Sequence, residues 1–359
     1  MDFLMNIHKI LTFKSIFIIL LMIFFQTLPT IQAQYVHLQT ITPEKNESSC
    51  TPSIAFSPHK NLLAHASSKN SIKLYSLCYN NGENIFRIIG KLPYYPSRAS
   101  GIAFSPDDVI ASIWSKCAMI KIWSPFNEPN EPWKNIQDLC GYSNKVSSIA
   151  FSHCGTMLAS GDCGSRIKIW HAQCRNSLWE NTHTLRGHTI TVVSLAFAPN
   201  NSRLLASGSA DKTIKIWTFN AQKEEWVNIQ TLAGHNHLVK SIAFSPNGKT
   251  LISGSWDNTI IIWTLQDNAQ WVATQTLTEH TQSVNSVAFS PDEKCFISGS
   301  SDRTIIVWAL QDDGLWISAQ VLTEHTQAVM SVALSFDGEF IASSSYDNVV
   351  HIWRKNNHS

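Results

Sequence analysis

This chain of 359 residues has little charge: Asp, Glu, Lys and Arg make up 15% of it, and the formal net charge is +1. Globular chains usually carry about a quarter charged residues, so the shortfall points to many strand-interior positions. A balance so near zero supplies no global field that would favour nucleic acid or an anionic membrane. The common chemical motifs are missing as well: there is no Gly-rich phosphate loop, no HExxH and no nucleophile elbow. None of the eight cysteines has a C-x-x-C partner, which argues against structural zinc. The acidic residues fall mostly in turns, leaving few for a glycosidase-type carboxylate pair. The apolar run at 16–25 has ten residues, against the ~20 that cross a bilayer comfortably.

What is present is a repeat. Runs resembling Ile-Ala-Phe-Ser end at Ser57, Ser105, Ser152, Ala198, Ser245, Ser290 and Ser335, with gaps of 48, 47, 46, 47, 45 and 45 residues. About thirty residues after each comes a stretch like Ile-Lys-Ile-Trp. A fixed period in this range marks units that bury an apolar face only against their neighbours. The repeat also accounts for eleven of the 13 Trp, all but Trp114 and Trp256. Within one repeat, four segments rich in β-branched and aromatic residues are separated by Pro, Asn, Gly or Asp turns. Four short strands make one antiparallel blade, and seven blades set radially make an all-β, seven-bladed β-propeller with protected edges.

The turn and strand-end residues resemble the WD40 repeat family over residues 35–355. Gly187-His188 and Gly234-His235 precede first strands; Asp211, Asp257, Asp302 and Asp347 follow Ser-Gly-Ser-x or Ser-Ser-Ser-x; each is followed six residues later by Trp217, Trp263, Trp308 or Trp353. The resemblance implies buried His–Ser–Asp–Trp tetrads: His188, Ser207, Asp211 and Trp217; His235, Ser253, Asp257 and Trp263; His280, Ser298, Asp302 and Trp308; His325, Ser343, Asp347 and Trp353. His280 and His325 follow Glu where the family has Gly. Repeated four times at one period, these groups read as scaffold and not as a catalytic triad. The first three repeats carry Lys69, Cys117 and Gly164 at the Asp position, and repeat one has Tyr75 in place of Trp. Blades one to three are therefore expected to rely on apolar packing and to be the softer part of the ring.

Repeat seven has no fourth strand after Trp353. Residues 35–42, which match the fourth strands of other repeats in type, are expected to complete it. Before them, a basic start, a short apolar centre and Ala33 have the layout of a secretory signal peptide over residues 1–33. The expected product is a secreted or periplasmic propeller of residues 34–359, with an uncleaved membrane anchor as the alternative. Export permits disulfides, and the phase of the repeat leaves two pairs open, Cys154 with Cys174 and Cys140 with Cys163. Sequons at Asn46, Asn200 and Asn357 fall in expected loops or the tail. His235-Asn236-His237 lacks a third ligand, so no metal and no cofactor is expected.

The family's usual docking face, around the channel mouth, implies a candidate partner surface. Its residues are Arg98, Lys116, Lys145, Lys240, Trp256, Met330 and Tyr346. Exposed aromatics beside cations have the composition of an interaction hot spot. The expected function is a non-catalytic scaffold for an acidic protein or peptide, a monomeric ring without nucleic-acid partners. A secreted propeller hydrolase or a glycan-binding lectin is the alternative.

Overall fold

The computed structural model describes residues 34–42, 53–67, 71–80, 83–93, 99–114, 118–125, 133–173 and 177–356. Residues Tyr35–Lys355 form one compact unit. Its described strands make seven antiparallel sheets of four. The first strands of successive blades touch one another in order, and that of blade 7 touches that of blade 1, so the sheets close into a β-propeller. In blade 5, taken as the type, the strands are Val239–Phe244, Thr250–Ser255, Ile260–Leu265 and Trp271–Leu277. The second and third are buried nearly throughout, as Leu-Ile-Ser-Gly-Ser and Ile-Ile-Ile-Trp require. The outer strand alternates, with Trp271 and Leu277 buried and the residues between mostly exposed.

Blade 7 is completed by the N-terminal strand. Tyr35–Ile41 pairs antiparallel with Val350–Lys355, Tyr35 opposite Lys355 and Ile41 opposite Val350. Tyr35 is buried, and its hydroxyl donates to Gly338 O at 2.8 Å. The expected closure is therefore the observed one.

The apolar core lies between blades rather than within them. One cluster joins Ile167, Ile169 and Leu185 of blade 3 to Val192, Leu205 and Trp217 of blade 4; another joins Ile54 and Phe86 of blade 1 to Phe340 and Ile352 of blade 7. The glycine of the Ser-Gly-Ser strand end permits this approach. A Cβ at Gly254 would lie 2.6 Å from Val284 Cγ1 of the next blade, and one at Gly299 would lie 2.7 Å from Val329 Cγ1.

Polar clasps repeat at the same junctions. Gln230 Nε2 donates to Trp271 O at 2.8 Å and its Oε1 accepts from Trp271 N at 2.8 Å, so one side chain seals a main-chain unit of the next blade. Gln39, Gln137, Gln275 and Gln320 do the same for Phe86, Trp179, Trp316 and Tyr35. The equivalent residue is Gly90 in blade 1 and His183 in blade 3. Near the axis, Ser194, Ser241, Ser286 and Ser331 accept the main-chain N–H of Ile242, Val287, Val332 and Ile54, each one blade on.

Candidate partner-binding face

Local chemistry sets the turns of this face. In each of blades 4 to 7 the turn after the second strand puts a non-glycine residue at positive φ: Lys212, Asn258, Arg303 and Asn348, at 71°, 72°, 73° and 64°. Such a residue costs about 1–2 kcal/mol. The preceding Asp offsets it by accepting the N–H two residues on, from Thr213, Thr259, Thr304 and Val349 at 3.0–3.1 Å.

The same carboxylates anchor the tetrads. His188 Nδ1 lies 2.8 Å from Asp211 Oδ2 and its Nε2 lies 2.8 Å from Ser207 Oγ, which also accepts the Trp217 indole N–H at 2.8 Å. Blades 5 and 6 repeat this through His235, Ser253, Asp257, Trp263 and His280, Ser298, Asp302, Trp308 at 2.7–3.0 Å. With a carboxylate accepting at Nδ1, a neutral imidazole must accept at Nε2, so the proton order runs Trp to Ser to His to Asp. Burial lowers the His188 pKa despite its Asp partner, which favours that neutral form. Burial alone would raise the carboxyls; donors from His, Thr and the main chain overcome it and hold Asp257 and Asp302 well below the usual range.

Blade 7 departs from expectation. His325 reaches Asp347 at 2.9 Å and Ser343 at 2.7 Å, but the buried Trp353 indole N–H has no acceptor among the described residues. Its tetrad has three linked members. Blades 2 and 3 carry polar centres that the sequence reading did not anticipate. Ser112 accepts both Trp114 and Trp123 N–H, at 2.9 and 2.8 Å. In blade 3, Tyr142 stands in for His, with its Oη 2.5 Å from Ser160 Oγ and Trp170 N–H donating to both. Asp162, two residues before the vacant Asp position at Gly164, pairs with Arg166 at 2.9 Å. The signal was available: Gly141-Tyr142 holds the Gly-His position.

At the channel mouth, each first strand from blade 2 to blade 7 is bulged after its opening residue. The extra residue is Ser100, Ser147, Val193, Lys240, Asn285 or Met330. A bulge frees one residue from the ladder and re-aims its side chain. All six line a cavity of about 310 Å³ on the axis, with the blade-bridging serines beside them. Asn285 Nδ2 donates to Ser301 Oγ and Val329 O, both at 2.9 Å. Lys240 is the one charged side chain in the lining, and among the described residues it has no ion pair or hydrogen-bond partner. Burial without a counter-charge pushes its ammonium pKa down.

The turns place the other candidates at one level of the ring. Cys163, Ala210, Trp256, Ser301 and Tyr346 donate their N–H groups to Lys145, Thr191, Leu238, Ser283 and Ala328 carbonyls. Trp256 is 44% exposed and lies against His237, ring centroids 5.7 Å apart. Tyr346 is half-buried and Lys145 exposed. Lys240 and Met330 share the channel; Trp256, Tyr346 and Lys145 do not line it. Arg98 and Lys116 lie outside the described residues, as do Cys174, Asn46, Asn357 and the whole of residues 1–33. Of the two pairings left open, Cys140 and Cys163 are free thiols, as is Cys154, whose candidate partner Cys174 lies outside the described residues. Cys154 instead takes part in hydrogen bonds with Ser152, Thr156 and Ser202.

Five segments, residues 133–171, 179–218, 226–264, 271–309 and 316–354, match the family model described as WD domain, G-beta repeat. The chain is also similar to Elongator complex protein 2 of Dictyostelium discoideum, 33% identical over 88 residues. That stretch is 22% of this chain and spans 9% of the relative's length.

Proposed function

The chain belongs to the WD40 family, and on that premise we propose that it is a non-catalytic scaffold that docks an acidic peptide segment of a protein partner on the channel-mouth face. The observation that carries this is Lys240, among the described residues a lone cation without a counter-charge, set among serine, asparagine and aliphatic side chains and facing the channel. A partner carboxylate there would neutralise it away from bulk water, where an ion pair is worth more than on an open surface. Trp256, backed by His237, supplies an aromatic anchor beside the mouth, and Met330 adapts to an irregular apolar contact. The His, Ser and Asp residues of the tetrads do not support catalysis. Ser207, Ser253 and Ser298 are fully buried, and each already accepts a tryptophan N–H. The similarity to a subunit whose name places it in a complex is consistent with a scaffold.

The test is binding to immobilised acidic, neutral and basic peptides, with the wild type against a Lys240→Gln/Trp256→Ala double variant. Acid-selective binding that weakens tenfold or more in the variant, at an unchanged melting temperature, supports the reading. Equal binding by both proteins removes this face as the site.

Export of the ring is part of the same proposal, supported by the charge and hydropathy layout of residues 1–33. It is checked by N-terminal sequencing of protein recovered outside the cytoplasm, which should begin at Gln34.

A further inference from the structure

The junction between blades 3 and 4 is built unlike its neighbours. Five other junctions seat a glutamine amide on the main chain of the aromatic that opens the next outer strand. Here the residue in that place is His183, and its Nε2–H donates at 2.9 Å to Glu224 O instead, so that among the described residues no side chain clasps the Trp226 main chain. Between the outer parts of the two blades lies a cavity of about 310 Å³, on the scale of a small-ligand pocket. Its wall is aromatic and apolar: Phe219 lies 5.8 Å from Trp226 and 5.6 Å from the His183 ring, and Met157 and Ile169 complete it.

The polar part of the lining joins the hydroxyls of Thr156 and Thr182 to basic side chains. Arg203 holds its guanidinium 5.9 Å from the Phe219 ring centre, and His171 and His183 line the same space. Arg203 is exposed and has no carboxylate partner among the described residues. Among the described residues, no carboxylate lines the cavity. Glu180, opposite His171 in the sheet, and Glu224 are exposed and outside the lining.

We propose that this side cavity binds a small aromatic carboxylate, its ring against Phe219 and Trp226 and its carboxylate on Arg203. A flat ring fits a wall of aromatic faces, and a planar guanidinium matches a carboxylate in a two-point hydrogen bond. The site lies at an outer-strand junction and shares no lining residue with the channel, so it is independent of the docking role assigned to Lys240.

The test is a ligand-observed NMR titration of the intact chain with phenylacetate, with phenylacetamide as the uncharged control. Wild type should bind phenylacetate, and phenylacetamide should bind at least tenfold more weakly. Arg203→Gln should weaken phenylacetate at least tenfold. His183→Gln should restore the clasp on Trp226, carry its amide across the cavity, weaken phenylacetate at least tenfold and raise the melting temperature. Lys240→Gln should bind phenylacetate as wild type does, whatever becomes of the peptide-docking role. Absence of phenylacetate binding to the wild type overturns the proposal, as does binding that Arg203→Gln leaves unchanged or that phenylacetamide matches.

Discussion

His37 Nε2 and His351 Nδ1 lie 3.0 Å apart, one on the N-terminal closing strand and one on the last strand of the chain. His351 is also in edge contact with the tetrad residue His325, ring centroids 4.5 Å apart. The seam that closes the ring therefore runs through three adjoining imidazoles. Burial, then the neighbouring His325 and His37, bring the His351 pKa down to about 4 from an ordinary 6.5. A depressed histidine pKa means that the unfolded chain binds more protons between those values. Stability is then present above pH 6.5 and falls as pH drops towards 4.

Blades 5 and 6 carry Ile261 and Ile306 at this position. His351→Ile should flatten the acid limb of the stability curve, recovering about 1–2 kcal/mol at pH 5 once solvent screening is allowed for. Thermal melts of both proteins at pH 7.5 and pH 5 check this. An equal loss in the two would exclude His351 as the sensor.

Tyr35 combines a buried ring, a hydroxyl bond to Gly338 O and the Gln320 clasp on its main chain. Tyr35→Ala should cost about 3–5 kcal/mol, as for other large aromatic truncations in cores. Deleting residues 34–42 should cost more, since it also opens an edge strand to aggregation. Denaturant unfolding and light scattering report the two effects, and a deletion variant that melts with the wild type would disprove closure by this strand.

Ser253 and Ser343 occupy one position in blades 5 and 7 but serve different numbers of partners. Ser253→Ala would leave both the Trp263 N–H and His235 Nε2 unpaired, at about 2–4 kcal/mol. Ser343→Ala would remove a partner of His325 only, at about 1–2 kcal/mol, because the Trp353 N–H is unpaired already. Urea midpoints for the two variants should differ in that order.

Cys154 is the thiol set apart by its surroundings. Burial raises its pKa, but hydrogen bonds with Ser152, Ser202 and Thr156 outweigh it and bring it to about 7. The buried Cys295 moves the other way, burial being the main cause. Iodoacetamide at pH 7.5 should alkylate Cys154 ahead of Cys295, because the thiolate is the nucleophile. Ser202→Ala should raise the pH midpoint of the Cys154 reaction. Peptide mapping by mass spectrometry follows both.

Residues close together in the chain carried most of what could be read from it. Asp257 and Trp263 sit within one turn and strand, so their spacing exposes their roles. Tyr142 was legible too, had an aromatic hydroxyl been allowed in the histidine place. Trp353 was not: its motif is complete, and only the local geometry of blade 7 withholds the acceptor. Lys240 was legible as a surface position but not as an unpaired charge in the channel, because that depends on what six other blades place opposite it.

The sequence by itself determined the seven blades, the closing strand and the tetrads of blades 4 to 6. Each follows from a period of about 46 residues and from turn chemistry that acts within a few residues. Only the tertiary structure decided which bulged residues face the axis, where glutamine clasps the next blade, and that His183 leaves a cavity beside Trp226. Those outcomes rest on contacts between residues some forty positions apart, such as Gln230 with Trp271. Their distances exist only once the ring has closed.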